Sequence, residues 1–135
     1  MGNKKILVVD DESDMRIFVS TVVETMGFEP LAAIDGAEAL DKARSCRPDL
    51  VILDIMMPKI EDGIQTYQQF RMDEQFCRIP IIMLSAIAKK TFFHSLRMLN
   101  PQRGRPMPEP EAYVEKPPDA DELIRLITQL LPAES

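Results

Sequence analysis

Short apolar runs at residues 6–9, 50–53 and 81–84 are of strand length and rich in branched side chains. None alternates with polar residues, and such uninterrupted runs predict strands covered on both faces, as in a parallel sheet. Between the first two runs the period changes. Met15, Val19, Val22, Val23 and Met26 recur at three- and four-residue steps, and Gly27 follows where a left-handed helix cap would sit. A weaker strand is predicted over 28–33, and its Pro30, which cannot donate to a ladder, places it at a sheet edge. Asp35, with Glu38 three residues on, resembles a capping box opening a helix through Leu40 and Ala43. The next strand begins after Pro48.

A third helix is predicted from near Gly63 through Ile64, Tyr67 and Phe70. A fourth carries Phe92, Phe93, Leu96 and Leu99 until Asn100-Pro101 stops it. A last short strand spans 112–115. Asp119, with Glu122 three residues later, then caps a closing helix whose stripe is Leu123, Ile127, Leu130 and Leu131. Five strands alternating with five helices predict a doubly wound α/β fold with a parallel sheet and right-handed crossovers. The stretch 100–110, with four prolines and one glycine, is long for such a connection and is the irregular part of the chain.

With 135 residues and 45% hydrophobic content the chain can bury one sizeable core, so a single domain over 1–135 is expected. A net charge of −6 and a pI near 4.8 argue against direct nucleic-acid binding, which clustered Lys and Arg would drive. The first five residues lead straight into the apolar run at 6–9. With neither a signal-peptide core nor a membrane span of about twenty apolar residues, the expected location is cytoplasmic. Cys46 and Cys77 are far apart and show no metal-ligand spacing, so they read as incidental thiols.

In an open α/β sheet the functional crevice lies beyond the carboxyl ends of the strands. Asp10 and Asp11 close the first strand, Asp54 the third, Ser85 the fourth and Lys116 the fifth. Taken singly, an Asp after a strand is often a cap or turn residue, and Ser85 and Lys116 read as a turn hydroxyl and a solvated lysine. Their conjunction at successive strand ends carries the chemistry. Three crowded carboxylates repel one another, and Mg²⁺, a hard ion suited to carboxylate oxygens, relieves the repulsion. An aspartate beside it can attack a phosphoryl group to form an acyl phosphate, with Lys116 and Ser85 supplying a cation and a hydroxyl to the transferring oxygens.

At these residues the chain resembles the receiver domains of bacterial response regulators. The matching stretches are ILVVDDE at 6–12, DLVILDIMMP at 49–58, PIIMLSA at 80–86 and YVEKP at 113–117. The resemblance implies a flavodoxin-like strand order 2-1-3-4-5. It implies Mg²⁺ held by Asp10, Asp11, Asp54 and the backbone carbonyl of Met56, with Asp54 as the phosphorylated residue. Ser85 would bond the phosphoryl group and swing inward, Tyr113 would follow it as the switch aromatic, Lys116 would pair with the phosphoryl group, and Lys116-Pro117 would be cis. The implied function is a phospho-acceptor of a two-component system or phosphorelay, with autodephosphorylation and no turnover of an external substrate. Its donor is a sensor histidine kinase, a phosphotransfer protein or a small phosphodonor. The implied state is a monomer or a weak, phosphorylation-dependent dimer.

Two rival classes are weighed against that reading. A degenerate receiver acting as a constitutive interaction module is disfavoured because all five key positions hold suitable residues. A phosphohydrolase of the haloacid dehalogenase kind would place a second Asp two residues after the nucleophile, where Met56 stands. The chain departs from the receiver pattern over about 88–112, an atypical helix 4 and loop. From Ser85 to Pro108 it has no acid, and Lys89, Lys90, Arg97, Arg103 and Arg105 form a candidate docking patch for an acidic partner face, with a solvated helix face as the plainer reading. Met56 and Ile87 flank the site and cannot orient water well, so a long-lived phosphorylated state is expected, local packing being the plainer reading. No output domain follows the last helix, which fits a stand-alone receiver or one piece of a longer protein.

Overall fold

The computed structural model describes residues 4–57, 59–98 and 108–131. In chain order its elements are β1 (Lys5–Val9), α1 (Ser13–Thr25), β2 (Glu29–Ala33), α2 (Gly36–Cys46), β3 (Leu50–Asp54), α3 (Ile60–Met72), β4 (Ile81–Ser85), α4 (Lys89–Met98), β5 (Ala112–Glu115) and α5 (Ala120–Leu130). The strands form one parallel sheet in the order β2-β1-β3-β4-β5. That is the doubly wound, flavodoxin-like order expected. Leu99 and the Asn100-Pro101 stop lie outside the described residues. Among the described residues no helix is long and apolar enough to cross a membrane.

Successive strand residues serve opposite faces, which explains the uninterrupted apolar runs. Leu7, Val9, Val51, Leu53, Ile81 and Met83 face α2, α3 and α4, where Tyr67, Phe70 and Phe92 are fully buried. Ile6, Val8, Leu50, Ile52, Ile82 and Leu84 face α1 and α5, against Val19, Val23, Leu123 and Ile127. Burying one such large apolar side chain contributes roughly 1.5–3 kcal/mol, so both layers stabilise the sheet that carries the site.

The ends of the elements follow local chemistry. β2 is an edge strand with Pro30 opposite Ile6. Gly27 adopts φ +88°, the left-handed region expected of it, while Arg47 takes φ 51° at the end of α2 with no glycine to announce it. At the start of α2 the Asp35 carboxylate accepts from Glu38 N at 2.9 Å, and the Glu38 carboxylate accepts from Ile34 N rather than from the cap residue. Asp119 accepts from Asp121 N. α3 begins at Ile60, three residues before the start expected at Gly63, and the Asp62 carboxylate accepts from Lys59 N at 3.2 Å. Gly63 instead marks a close approach. A Cβ there would stand 1.8 Å from the Ile55 carbonyl oxygen, so only glycine lets α3 lie against the backbone leaving Asp54.

A clamp centred on the buried Arg71 side chain ties down residues 108–111. Arg71, on α3, donates through Nη2 to Glu111 Oε1 at 2.6 Å, through Nη1 to the Ile79 carbonyl and through Nε to the Tyr67 hydroxyl. Glu111 Oε1 also accepts from Ile81 N at 2.7 Å, and the Tyr67 hydroxyl donates to the Pro108 carbonyl. The start of β5 is thereby tied to α3 and to the start of β4.

Candidate phosphoryl and metal site

The register sets the carboxyl ends of the strands side by side. Val9 pairs with Leu53, Asp54 with Leu84 and Ser85 with Glu115, so Asp10, Asp54, Ser85 and Lys116 follow one another across the sheet edge. Asp10, Asp54 and Ser85 are buried, whereas Asp11 and Glu12 are exposed at the rim. Each of the three buried residues makes the same local turn. Asp10 Oδ1 accepts from Glu12 N at 2.9 Å, Asp54 Oδ1 from Met56 N at 3.1 Å and Ser85 Oγ from Ile87 N at 3.2 Å. One oxygen of each carboxylate is thereby fixed and the other is turned into the crevice.

Lys116 Nζ occupies the centre. It lies 3.2 Å from Asp54 Oδ2, 3.0 Å from Glu12 Oε1 and 3.1 Å from Asp10 Oδ2. The first two are hydrogen bonds, while the third is an ion pair, the one contact that the buried Asp10 Oδ2 makes with a cationic group among the described residues. Burial and the neighbouring Asp10 raise the pKa of Asp54 to about 6 against the opposing pull of Lys116. Burial also works against the charge on Lys116, yet Asp54, Glu12 and Asp10 together hold its pKa above the usual lysine value.

Carboxylate oxygens of Asp10, Asp11, Glu12 and Asp54 all lie within 4.8 Å of one another. An all-oxygen set of four acids served by a single ammonium fits a hard divalent cation such as Mg²⁺. Three of these residues were legible from strand ends. Glu12 was not among them, and its signal was its place as a third consecutive acid after Asp10 and Asp11.

The remaining expected residues fall into two groups. Tyr113 stands beside the site, with its hydroxyl donating to the Ile87 carbonyl at 2.8 Å and its ring 5.3 Å from that of Phe92. Burial pushes this hydroxyl up to about 12, so it stays a donor at neutral pH. Met56 is partly exposed and Ile87 half-buried next to Asp54 and Ser85, and the Lys116-Pro117 bond is cis. Lys89, Lys90 and Arg97 are exposed on α4, with Lys89 N donating to Glu115 Oε1 at 3.3 Å, while Arg103 and Arg105 lie outside the described residues.

The chain is similar to known proteins. Residues 6–128 match the response regulator receiver domain. The chain is 46% identical over 84 residues to the alkaline phosphatase synthesis transcriptional regulatory protein PhoP of Bacillus subtilis, covering 62% of this chain and 34% of that protein. It is 33% identical over 131 residues to the polar-differentiation response regulator DivK of Brucella anthropi, covering 97% of this chain and 98% of that one. Among solved structures, chemotaxis protein CheY4 of Vibrio cholerae superposes with a TM-score of 0.77 at 28% identity, covering 96% of this chain and all of that one. The chain spans about a third of the length of PhoP and 7% of that of hybrid signal transduction histidine kinase D of Dictyostelium discoideum. Strand order, acidic crevice and these similarities converge, and the chain belongs to the response regulator receiver domain family.

Proposed function

We propose that this receiver is a Mg²⁺-dependent phospho-acceptor that takes a phosphoryl group onto Asp54 and switches a partner-binding face. The observation that carries the reading is the Asp54 carboxylate, fixed by Met56 N on one oxygen and presenting the other to Lys116 among three further acids. Asp10, Asp11 and Asp54, with the Met56 carbonyl, would hold Mg²⁺, which would offset charge on the phosphoryl oxygens. Ser85 and Lys116 would bond the transferred group, and Tyr113 would move with Ser85. The donor would be a sensor histidine kinase, a phosphotransfer protein or a small phosphodonor. Incubation with acetyl phosphate and Mg²⁺, read by intact mass and peptide mapping, should place one phosphoryl group on Asp54. Full labelling of Asp54→Asn would move the acceptor elsewhere, and absence of labelling in the wild type would favour a constitutive interaction module.

Two finer expectations belong to this reading. Neither Met56 nor Ile87 offers a side chain that orients water well, so the acyl phosphate should be long-lived. A Met56→Asn, Ile87→Glu double variant should lose phosphate faster, by about a hundredfold if one positioned polar group contributes at the lower end of what general-base catalysis commonly supplies. An unchanged decay rate would assign both residues to packing.

The exposed Lys89, Lys90 and Arg97 give α4 an all-basic character in a chain of net charge −6. An acidic partner face would complement it, and such complementarity acts mainly on association rate and is screened by salt. Reversing the three to Glu should slow association with the output partner and flatten its salt dependence while sparing Asp54 labelling. An unaltered rate at low salt would make the patch a solvated surface.

A further inference from the structure

Glu12 occupies the N-cap position of α1, where a side chain ordinarily accepts an N–H of the first turn, yet it makes no capping bond. Its carboxylate reaches instead to Lys116, 104 positions away, at 3.0 Å. Nothing in the fold requires this, because Glu12 is exposed and Lys116 already stands near both buried aspartates. A divalent cation held by Asp10, Asp11 and Asp54 would compete with Lys116 Nζ for the charge of the two buried aspartates. Two cations cannot both sit at contact distance from the same pair of oxygens without strong repulsion. A cation held there would loosen the hold of the two aspartates on the ammonium and leave Glu12 as its remaining partner.

We infer that Glu12 is a positioning residue that receives Lys116 when a divalent cation takes Asp10 and Asp54. The inference rests on the proposed reading of the crevice as a cation site. With the ion in place the two buried aspartates are engaged, and Glu12 becomes the nearest carboxylate left to Lys116. The pair then matters more in the ion-bound state than before, so Glu12 raises cation affinity through Lys116 and not by ligation. It also keeps the ammonium at the mouth of the crevice, within reach of an arriving phosphoryl group.

The test is a double-mutant cycle on Mg²⁺ affinity, measured by titration calorimetry with no phosphodonor present. Glu12→Gln should weaken binding about threefold, the scale of one partly exposed ion pair. In a Lys116→Met background the same substitution should cost clearly less. Lys116→Gln serves as a second background should the methionine variant not fold. Equal losses with and without the lysine would make Glu12 a direct ligand or a bystander charge and overturn the inference, as would unchanged affinity in Glu12→Gln. Absence of Mg²⁺ binding by the wild type would instead overturn the reading of the crevice itself.

Discussion

Asp54→Asn should make the ion-free protein more stable at pH 7, by about 2 kcal/mol, even as it removes the proposed phospho-acceptor. The cause is the raised pKa. Burial and Asp10 lift the Asp54 carboxyl to about 6 from an ordinary value of 3.8, so the folded protein holds that proton more tightly than the unfolded chain. A group with a raised folded pKa contributes stability that is present below its unfolded pKa and is lost as pH rises through the folded value. For the wild type that window runs from about pH 4 to pH 6. The neutral amide stands in for the protonated carboxyl and keeps an oxygen for Met56 N, so the variant should lack this loss. Denaturant unfolding of both proteins at pH 4.5 and pH 7 checks it, with a gap that opens as pH rises. Added Mg²⁺ should then favour the wild type, because the ion stabilises the ionised carboxylate. A constant gap across this range would mean that Asp54 titrates normally.

The largest loss is expected from Lys116→Met. Its ammonium is the cation nearest two buried aspartates, and removing one partner of a buried charge cluster typically costs about 3–5 kcal/mol. Glu12, exposed at the rim, should lose little, whereas Asp10 and Asp54 would be left facing each other without an ammonium. Protonation or a divalent cation can replace the lost charge. The deficit should therefore be greatest at pH 7 in chelator and shrink both at pH 5 and in millimolar Mg²⁺. Melting temperature under those three conditions decides the matter. A deficit independent of both pH and Mg²⁺ would assign Lys116 a packing role through its aliphatic stem.

What the sequence could reveal was set by chain locality. Continuous apolar runs and three- and four-residue periods report which faces are covered, so the five strands, the five helices and the edge position of Pro30 were legible. Strand-end chemistry brought Asp10, Asp11, Asp54, Ser85 and Lys116 together because parallel register aligns carboxyl ends by construction. Glu12 escaped because it sits past the strand, where a cap residue is expected, and its partner is 104 positions away. The Arg71 clamp escaped for a similar reason, with Glu111 40 positions distant. Gly63 was read as a helix boundary because a lone glycine near a predicted start signals a break, and only the tertiary approach to Ile55 shows that it permits contact. Arg47 adopts a left-handed cap conformation without the residue type that usually marks one.

The repeated turn at Asp10, Asp54 and Ser85 has a consequence for the entropy of ligand capture. Each side chain is held by the amide two residues on, and for the two aspartates the rotamer is chosen when the loop forms and not when an ion or phosphoryl group arrives. Freezing one rotamer-rich side chain at a binding site commonly costs about 0.5–1.5 kcal/mol. Here that ordering belongs to folding. Capture should thus show a small entropic penalty for the two aspartates, leaving Ser85, Lys116 and the rim acids as the groups that must reorganise.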